Sequence, residues 1–199
     1  MSATVLYMSM SLDGFVAGPN ESPANPLGDG GHRLHEWFFT AGDGDHKGAS
    51  DRVAGVNGKV IDESMSTGAV VAGRGTFEPA DGWGGDHHDG VPILILTRHD
   101  PDDLRQWPLV TYVNDVTSAM TRAKDAAGDK NVLVHGVGTA SLALAAGVLD
   151  EIELHIIPVL LGQGRRLFED LAPEQIELER TRILEGEGGV THMHYRVQR

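Results

Sequence analysis

The sequence predicts an α/β fold with a mainly parallel central sheet and an antiparallel pair at one edge. Three observations carry that prediction. Strand and helix patterns alternate through most of the chain. Two strand-like segments, 175–184 and 189–198, follow each other directly around Gly186, Gly188 and Gly189. The run 91-VPILILTR-98 is continuously apolar, as a parallel strand covered on both faces requires.

In chain order, 3-ATVLYMSMS-11 is rich in β-branched and aromatic residues and stops at Asp13-Gly14, so it reads as a strand ending in a turn. The loop 17–31 is dense in Pro, Gly and Asn and is long enough to cover a site. A short helix over 33–40 would turn Trp37 and Phe38 inward, and 41–51 is a second polar loop. A helix over 57–66 and a buried strand over 69–73 come next, and Gly73-Arg74-Gly75-Thr76 opens another turn into helix. Beyond the glycine-rich stretch 81–90 lie strands at 91–98 and 109–113, then a helix over 115–126 capped by Asp115 or Thr117. Strand 131–135, helix 139–146 and strand 152–162 complete the alternation, and the hairpin supplies the antiparallel edge. With no internal repeat and no dividing linker, one domain over 1–199 is expected.

Composition narrows the partners. An apolar share of 40% and a charged share of 23% are ordinary for a globular protein. A formal charge of −13 argues against nucleic acid or an anionic membrane, since both call for a basic face. There is no cysteine, so disulfide and thiolate chemistry is excluded. The first residues lack the basic and apolar regions of a signal peptide, and no apolar run approaches the roughly 18 residues of a membrane span, so a cytoplasmic location is expected.

The most informative stretch is 131-NVLVHGVGTASLALAAG-147, where a strand passes into a helix through Gly136 and Gly138. The first helical turn carries unpaired N–H groups and the positive end of the dipole, and glycines let an anion come close. A tight turn without a ligand is the alternative. The near match to G-x-G-x-x-G fails as a Rossmann fingerprint: it lies two-thirds along the chain, and Asp150, Glu151 and Glu153 sit at the entry of the next strand instead of its exit. A wider pattern is stronger. Gly73-Arg74-Gly75-Thr76, Thr97-Arg98 and Gly136-Val137-Gly138-Thr139 all follow strands, and a parallel sheet gathers such ends along one ligand-binding edge. Two glycine-bearing helix starts suit a pyrophosphate, and two arginine forks suit a further phosphate, which favours NADP(H) over NAD(H). Surface ion pairing is the alternative for each arginine.

Ser11-Leu12-Asp13-Gly14, Gly73-Arg74-x-Thr76, Leu96-Thr97-Arg98, the unit 131–147 followed by Asp150-Glu151, and 156-IIPVLLGQGRRLFED-170 together resemble the dihydrofolate-reductase-like superfamily. Within it the chain is most similar to stand-alone relatives of the C-terminal reductase domain of riboflavin-biosynthesis deaminase-reductases. The resemblance spans nearly the whole chain and is thinnest over 17–57 and 81–90. It implies a three-layer dihydrofolate-reductase-like fold, a homodimer, and an NADPH-dependent oxidoreductase acting on a small pterin- or aminopyrimidine-like molecule. It further implies that Arg74 and Arg98 hold the adenosine 2′-phosphate. Thr76, Gly136, Val137, Gly138 and Thr139 would hold the pyrophosphate, with Gly73 and Thr97 completing the cofactor edge. Ser11, Gly14, Phe15 and Trp37 would lie at the substrate, and Asp13 is either an acid there or a turn-former, the latter preferred. Phe15 stands where the relatives usually carry a basic residue, and His135-Gly136-Val137 where Glu-Gly-Gly is common; both departures speak against a ribose-phosphate substrate, and Phe15 with Trp37 suits a flat heterocycle without a phosphate. A non-catalytic nucleotide- or flavin-binding protein on the same scaffold is the rival reading.

Other clusters yield less. Asp86-His87-His88-Asp89 reads as a solvated loop, and His192 with His194 share a strand face without making a metal site, so no metal is expected. No serine sits in a nucleophile elbow. Arg165 and Arg166 either bind an anion or face solvent, the latter preferred.

Overall fold

The computed structural model describes residues 2–38, 53–169, 171 and 175–198. The elements follow as β1 (Thr4–Ser11), β2 (Phe15–Ala17), α1 (Gly55–Met65), β3 (Ala69–Gly73), α2 (Arg74–Phe77), β4 (Ile93–Leu96) and β5 (Val110–Val113). Then come α3 (Val116–Ala127), β6 (Val132–His135), α4 (Val137–Ala145), β7 (Glu151–Ile157), β8 (Arg165–Arg166), β9 (Leu178–Glu185) and β10 (Thr191–Val197). The main sheet has the order β5-β4-β3-β6-β1-β7-β10-β9. Its first six strands are mutually parallel, and β10 runs antiparallel to both neighbours. The short strands β2 and β8 pair separately.

Side-chain alternation divides the sheet into two unlike faces. Leu6, Val71, Val132, Val134, Ile152 and Leu154 point toward α3 and α4, whose Ala119, Ala123, Ala140 and Ala143 are fully buried. Alanines at these positions let the helices lie close to the sheet, which is why an alanine-rich helix suits this layer. The opposite face is apolar toward β3 and β4, with Val70, Ala72, Ile93 and Ile95 under Phe77, Trp83 and Trp107. Toward β7 and β10 the same face becomes polar.

Several elements differ from their sequence-based limits for identifiable reasons. Instead of a helix over 33–40, a single 3-10 turn spans Gly31–Leu34; left-handed Gly30 precedes it and no side chain caps it. Residues 39 and 40, and the loop 41–51, lie outside the described residues. The apolar run 91–98 pairs as a strand only over Ile93–Leu96, and 152–162 only to Ile157, where Pro158 can give no ladder hydrogen bond. The helix expected from 139 starts at Val137, with Gly136 at the cap (φ 95°). Asp115, not Thr117, caps α3 by accepting a bond from the Ser118 N–H. The loop 17–31 is pinned: Asp29 accepts bonds from Asn20 and Asn25, and Gly18 N–H reaches Leu27 O.

Candidate active site

The parallel strands deliver their carboxyl ends to one edge, in the order β5, β4, β3, β6, β1, β7. That edge brings together Thr97-Arg98, Gly73 to Thr76, Gly136 to Thr139, and Ser11 to Gly14, all predicted as site residues. At its centre β3 and β6 are neighbours, so the two glycine-bearing helix starts meet. A Cβ on Gly136 would lie 2.4 Å from Thr76 Oγ1, and one on Gly73 would lie 3.3 Å from Thr139 Oγ1. The two threonine hydroxyls and the two glycines therefore share one junction. Thr139 is 2% exposed, and its hydroxyl is a buried side-chain polar atom with no hydrogen-bond partner among the described residues. Leaving such a group unpaired costs about 1–3 kcal/mol, a penalty that a ligand oxygen would relieve. Gly138 adds an independent sign: a Cβ there would meet nothing within 4 Å, so the fold does not need a glycine at that position.

Along the edge toward β4 and β5, a groove of about 750 Å³ is lined by Thr97, Arg98, Tyr112, Asn114, Ser118 and Arg122. Arg74 is oriented by a different partner. Its guanidinium makes two bonds to Glu78, at 2.6 and 3.1 Å, and this carboxylate raises the arginine pKa further.

On the β1 side, the turn after the strand is built around Asp13. Its carboxylate accepts bonds from Ser11 Oγ (2.6 Å), Leu161 N–H (3.1 Å) and Gly162 N–H (2.7 Å). The Ser11 hydroxyl leads these donors in holding the pKa down to about 2. Asp13 thus ties the turn after β1 to the loop after β7, as its turn-forming alternative anticipates, with both oxygens occupied. Ser11 is spent on the same turn, accepting from Phe15 N–H as it donates to Asp13. Gly14 takes φ 91° to close it. Phe15 is 4% exposed, with the Arg166 guanidinium 4.3 Å from its ring centroid. Arg166 also donates to Asp13 O, which gives it a structural partner and not only solvent.

The face between β6 and β9 holds what sequence reading missed. Strand register places Tyr7 opposite Glu153, Ser9 opposite His155, and His155 opposite His192. His194 lies opposite both Glu153 and Arg182. Glu153, 1% exposed, accepts from Arg182 (3.4 Å) and stands 3.2 Å from His194; burial outweighs the pull of these neighbours and raises its pKa. Arg182 also forks onto Glu63 of α1 (2.8 and 2.6 Å). Nearby, Trp37 donates from its indole to Ser9 Oγ (2.9 Å), and its ring lies 4.4 Å from that of His155.

The hydrogen-bond network assigns the histidine tautomers. His135 Nδ1 lies 3.0 Å from Tyr7 O; a carbonyl only accepts, so Nδ1 carries the proton and Nε2 remains an acceptor. Asn57 donates through Nδ2 to Glu187 O, which turns its Oδ1 toward His192 Nε2 at 3.0 Å. His192 therefore donates from Nε2 and accepts at Nδ1 from His155 Nδ1–H, 2.9 Å away. That leaves His155 Nε2 as an acceptor too. Burial is the main cause holding these rings neutral: it pushes His135 and His192 down to about 4, and His155 well below its usual value. The pairs that link these residues join β7 to β10 and α1, which no local pattern announces. The signal available was the alternation of Glu153 and His155 against that of His192 and His194.

Among the described residues, no three His, Asp or Glu side chains converge as a metal site, and no helix is long and apolar enough to cross a membrane. His192 and His194 do share a face, but each is committed to other partners.

Comparison with known proteins agrees with this architecture. A Bacillus subtilis (strain 168) protein, the uncharacterized YwjB, is 27% identical over 203 residues, covering 96% of each chain. The crystal structure of a candidate riboflavin biosynthesis protein from Shewanella sp. PV-4 superposes with a TM-score of 0.71 at 18% identity, over 99% of both chains. A dihydrofolate reductase from Enterococcus faecalis, solved with NADP(H), gives 0.59 at 15% identity, over 99% of this chain and 97% of that one. At these identities the structural likeness establishes the fold, which is dihydrofolate-reductase-like. The family model described as RibD C-terminal domain matches residues 3–191, and the chain belongs to that family.

Proposed function

We propose that this protein is an NADPH-dependent reductase of a small, flat heterocycle of the pterin or aminopyrimidine kind. The observation that carries the reading is the buried, unpartnered Thr139 hydroxyl at the junction of two glycine-bearing helix starts. The residues there fit a pyrophosphate. Thr76 and Thr139 offer hydroxyls, the first turn of α4 offers N–H groups, and Gly136 and Gly138 keep side chains out of the way. When bound, the dihydronicotinamide supplies the hydride.

The chain's own residues supply position and environment. The Asp13 tie fixes the end of β1 against the loop after β7, so that edge of the pocket is rigid. In this reading half-buried His135 offers a neutral acceptor to an N–H of the ring, while Trp37 packs over His155 and His192 behind it. With these imidazoles neutral at physiological pH, the face suits an uncharged molecule better than a phosphorylated one. Family membership and the NADP(H)-bound neighbour support the redox reading; a homodimer in solution is part of it.

Calorimetric titration with NADPH and NADH, followed by a turnover screen at 340 nm against pterins and aminopyrimidines, tests the proposal. Tight NADPH binding with turnover is expected. Binding without turnover across the panel would favour a non-catalytic nucleotide-binding protein, and no binding of either nucleotide would end the reading.

A further inference from the structure

The stretch 81-DGWGGDHHDG-90 reads as a solvated loop in sequence, yet in the fold it is tied down by its own contacts. Residues 81 to 85 all take positive φ, so they make one left-handed turn. Contact as well as φ requires glycine on either side of Trp83. A Cβ on Gly82 would lie 3.0 Å from the Trp107 ring, and one on Gly85 would lie 2.4 Å from it. Trp83 is the exception. At φ 51° it holds a conformation that large side chains rarely adopt, and glycine or asparagine would close the same turn at less cost. Strain kept at one position implies something gained there.

The gain is the place of the indole. Its ring lies 5.3 Å from Phe77, edge-on, a contact that any apolar side chain would serve. It also lies 4.7 Å from His87 and 6.3 Å from His135, the last residue of β6 before the Gly136 junction. Trp83, His87 and His135 are each only half-buried, so they form an accessible aromatic surface beside that junction. The surface is held from behind. His87 Nδ1 is 2.8 Å from His88 Nδ1, and buried His88 donates from Nε2 to Thr67 O at 3.1 Å. His135 is fixed by Tyr7 O and keeps its acceptor at Nε2.

We propose that Trp83 is a specificity-determining residue: its indole is the wall on which a fused two-ring heteroaromatic substrate stacks beside His135, so that a bicyclic molecule is preferred to a single pyrimidine ring. This rests on the reductase reading for the occupant of the site, and it decides between the two kinds of substrate that the reading leaves open. A ring cannot slip between Trp83 and His135, because a sandwich needs about 7 Å between centroids, twice a carbon–carbon contact of roughly 3.5 Å. The two planes, 44° apart, instead make a corner, with the ligand's face on the indole and an edge N–H at the imidazole. Indole is itself a fused bicycle, and stacking strengthens with the overlapped area, so it recognises the second ring of the ligand. Sequence did not mark Trp83, because its nearness to His135 arises only when β3 and β6 pair.

The test titrates the full chain calorimetrically with pterin, with isocytosine (the pyrimidine half of pterin) and with NADPH. The wild type should bind pterin about tenfold more tightly than isocytosine. Trp83→Gly suits the left-handed backbone and should lose roughly tenfold for pterin, but less than about threefold for isocytosine and NADPH. Trp83→Leu keeps an apolar contact for Phe77 without a flat face and should lose as much pterin affinity, while Trp83→Phe should recover most of it. Equal losses for all three ligands in Trp83→Gly would overturn the proposal. So would full pterin affinity in Trp83→Leu, or a wild type without preference for pterin. If pterin binds through Trp83 and NADPH does not bind, the inference holds and the reductase reading falls. If NADPH binds and a heterocycle is reduced with the same kcat/KM by wild type and Trp83→Gly, the reading holds and the inference falls.

Discussion

Acidification should unfold this protein by a route that one substitution can dissect. His192 is fully buried, and burial, followed by the Arg182 charge, pushes its pKa from 6.5 down to about 4. The unfolded chain takes up that proton near 6.5, so below this pH the unfolded state binds more protons than the native one. Stability from the neutral ring is thus fully present above 6.5 and is lost as pH falls toward 4. Between pH 7 and pH 4.5 the loss attributable to His192 is about 2.5 kcal/mol. Replacing it by Gln removes the titration, so His192→Gln should lose about 2.5 kcal/mol less than wild type over the same interval, whatever its stability at pH 7. If His155 relaxes toward its ordinary value in the variant, the difference grows in the same direction. Urea unfolding at the two pH values, read by tryptophan fluorescence, measures this as a difference of roughly 1 M in the midpoint shift. Equal losses in the two proteins, within about 0.5 kcal/mol, would refute the assignment of His192 as a neutral buried ring.

Four further outcomes are expected. Gly136→Ala forces a Cβ to 2.4 Å from Thr76 Oγ1 at a φ of 95°, and should destabilise by about 1–3 kcal/mol in thermal unfolding. Gly138→Ala meets open space within α4, so it should gain about 0.5 kcal/mol of stability yet weaken NADPH binding; unchanged affinity would mean no ligand approaches that turn. Arg182→Ala leaves Glu153 buried without its arginine and should cost about 2 kcal/mol, much of it recovered in Arg182→Ala/Glu153→Gln, as a double-mutant cycle would show. Asp13→Ala should speed amide hydrogen exchange at Leu161 and Gly162 selectively, because those N–H groups lose their acceptor.

The parts of this molecule that were legible in sequence are those set by local chemistry. β-branched runs ending in glycine gave the parallel strands, and Gly136 marked a cap because only a residue free at positive φ closes that turn easily. Arg74 shows a signal present but unused: Glu78 lies four residues on, the spacing at which a helix pairs such charges. Phe15 was placed at the substrate by its position in a motif, and its contact with Arg166, distant in sequence, left no local mark. The neutral histidines and the Glu153 network were out of reach for the same reason. Register between β7 and β10 decides which side chains meet, and pairing across about forty residues of chain leaves no periodic trace.

The threading of β10 between β7 and β9 has a temporal consequence during synthesis. The strand ends and helix starts proposed to hold the nucleotide, together with the groove beside α3, are all encoded before residue 146. His192, which gives His155 its tautomer, and Arg182, which steadies Glu153, emerge only with the hairpin. A ribosome-bound chain that has released β6 and α4 but not yet β10 therefore has most of the proposed nucleotide edge, while the polar face completed by β10 is unfinished. Nucleotide present in the cell at that stage could act as a folding ligand before there is a pocket in which to use it.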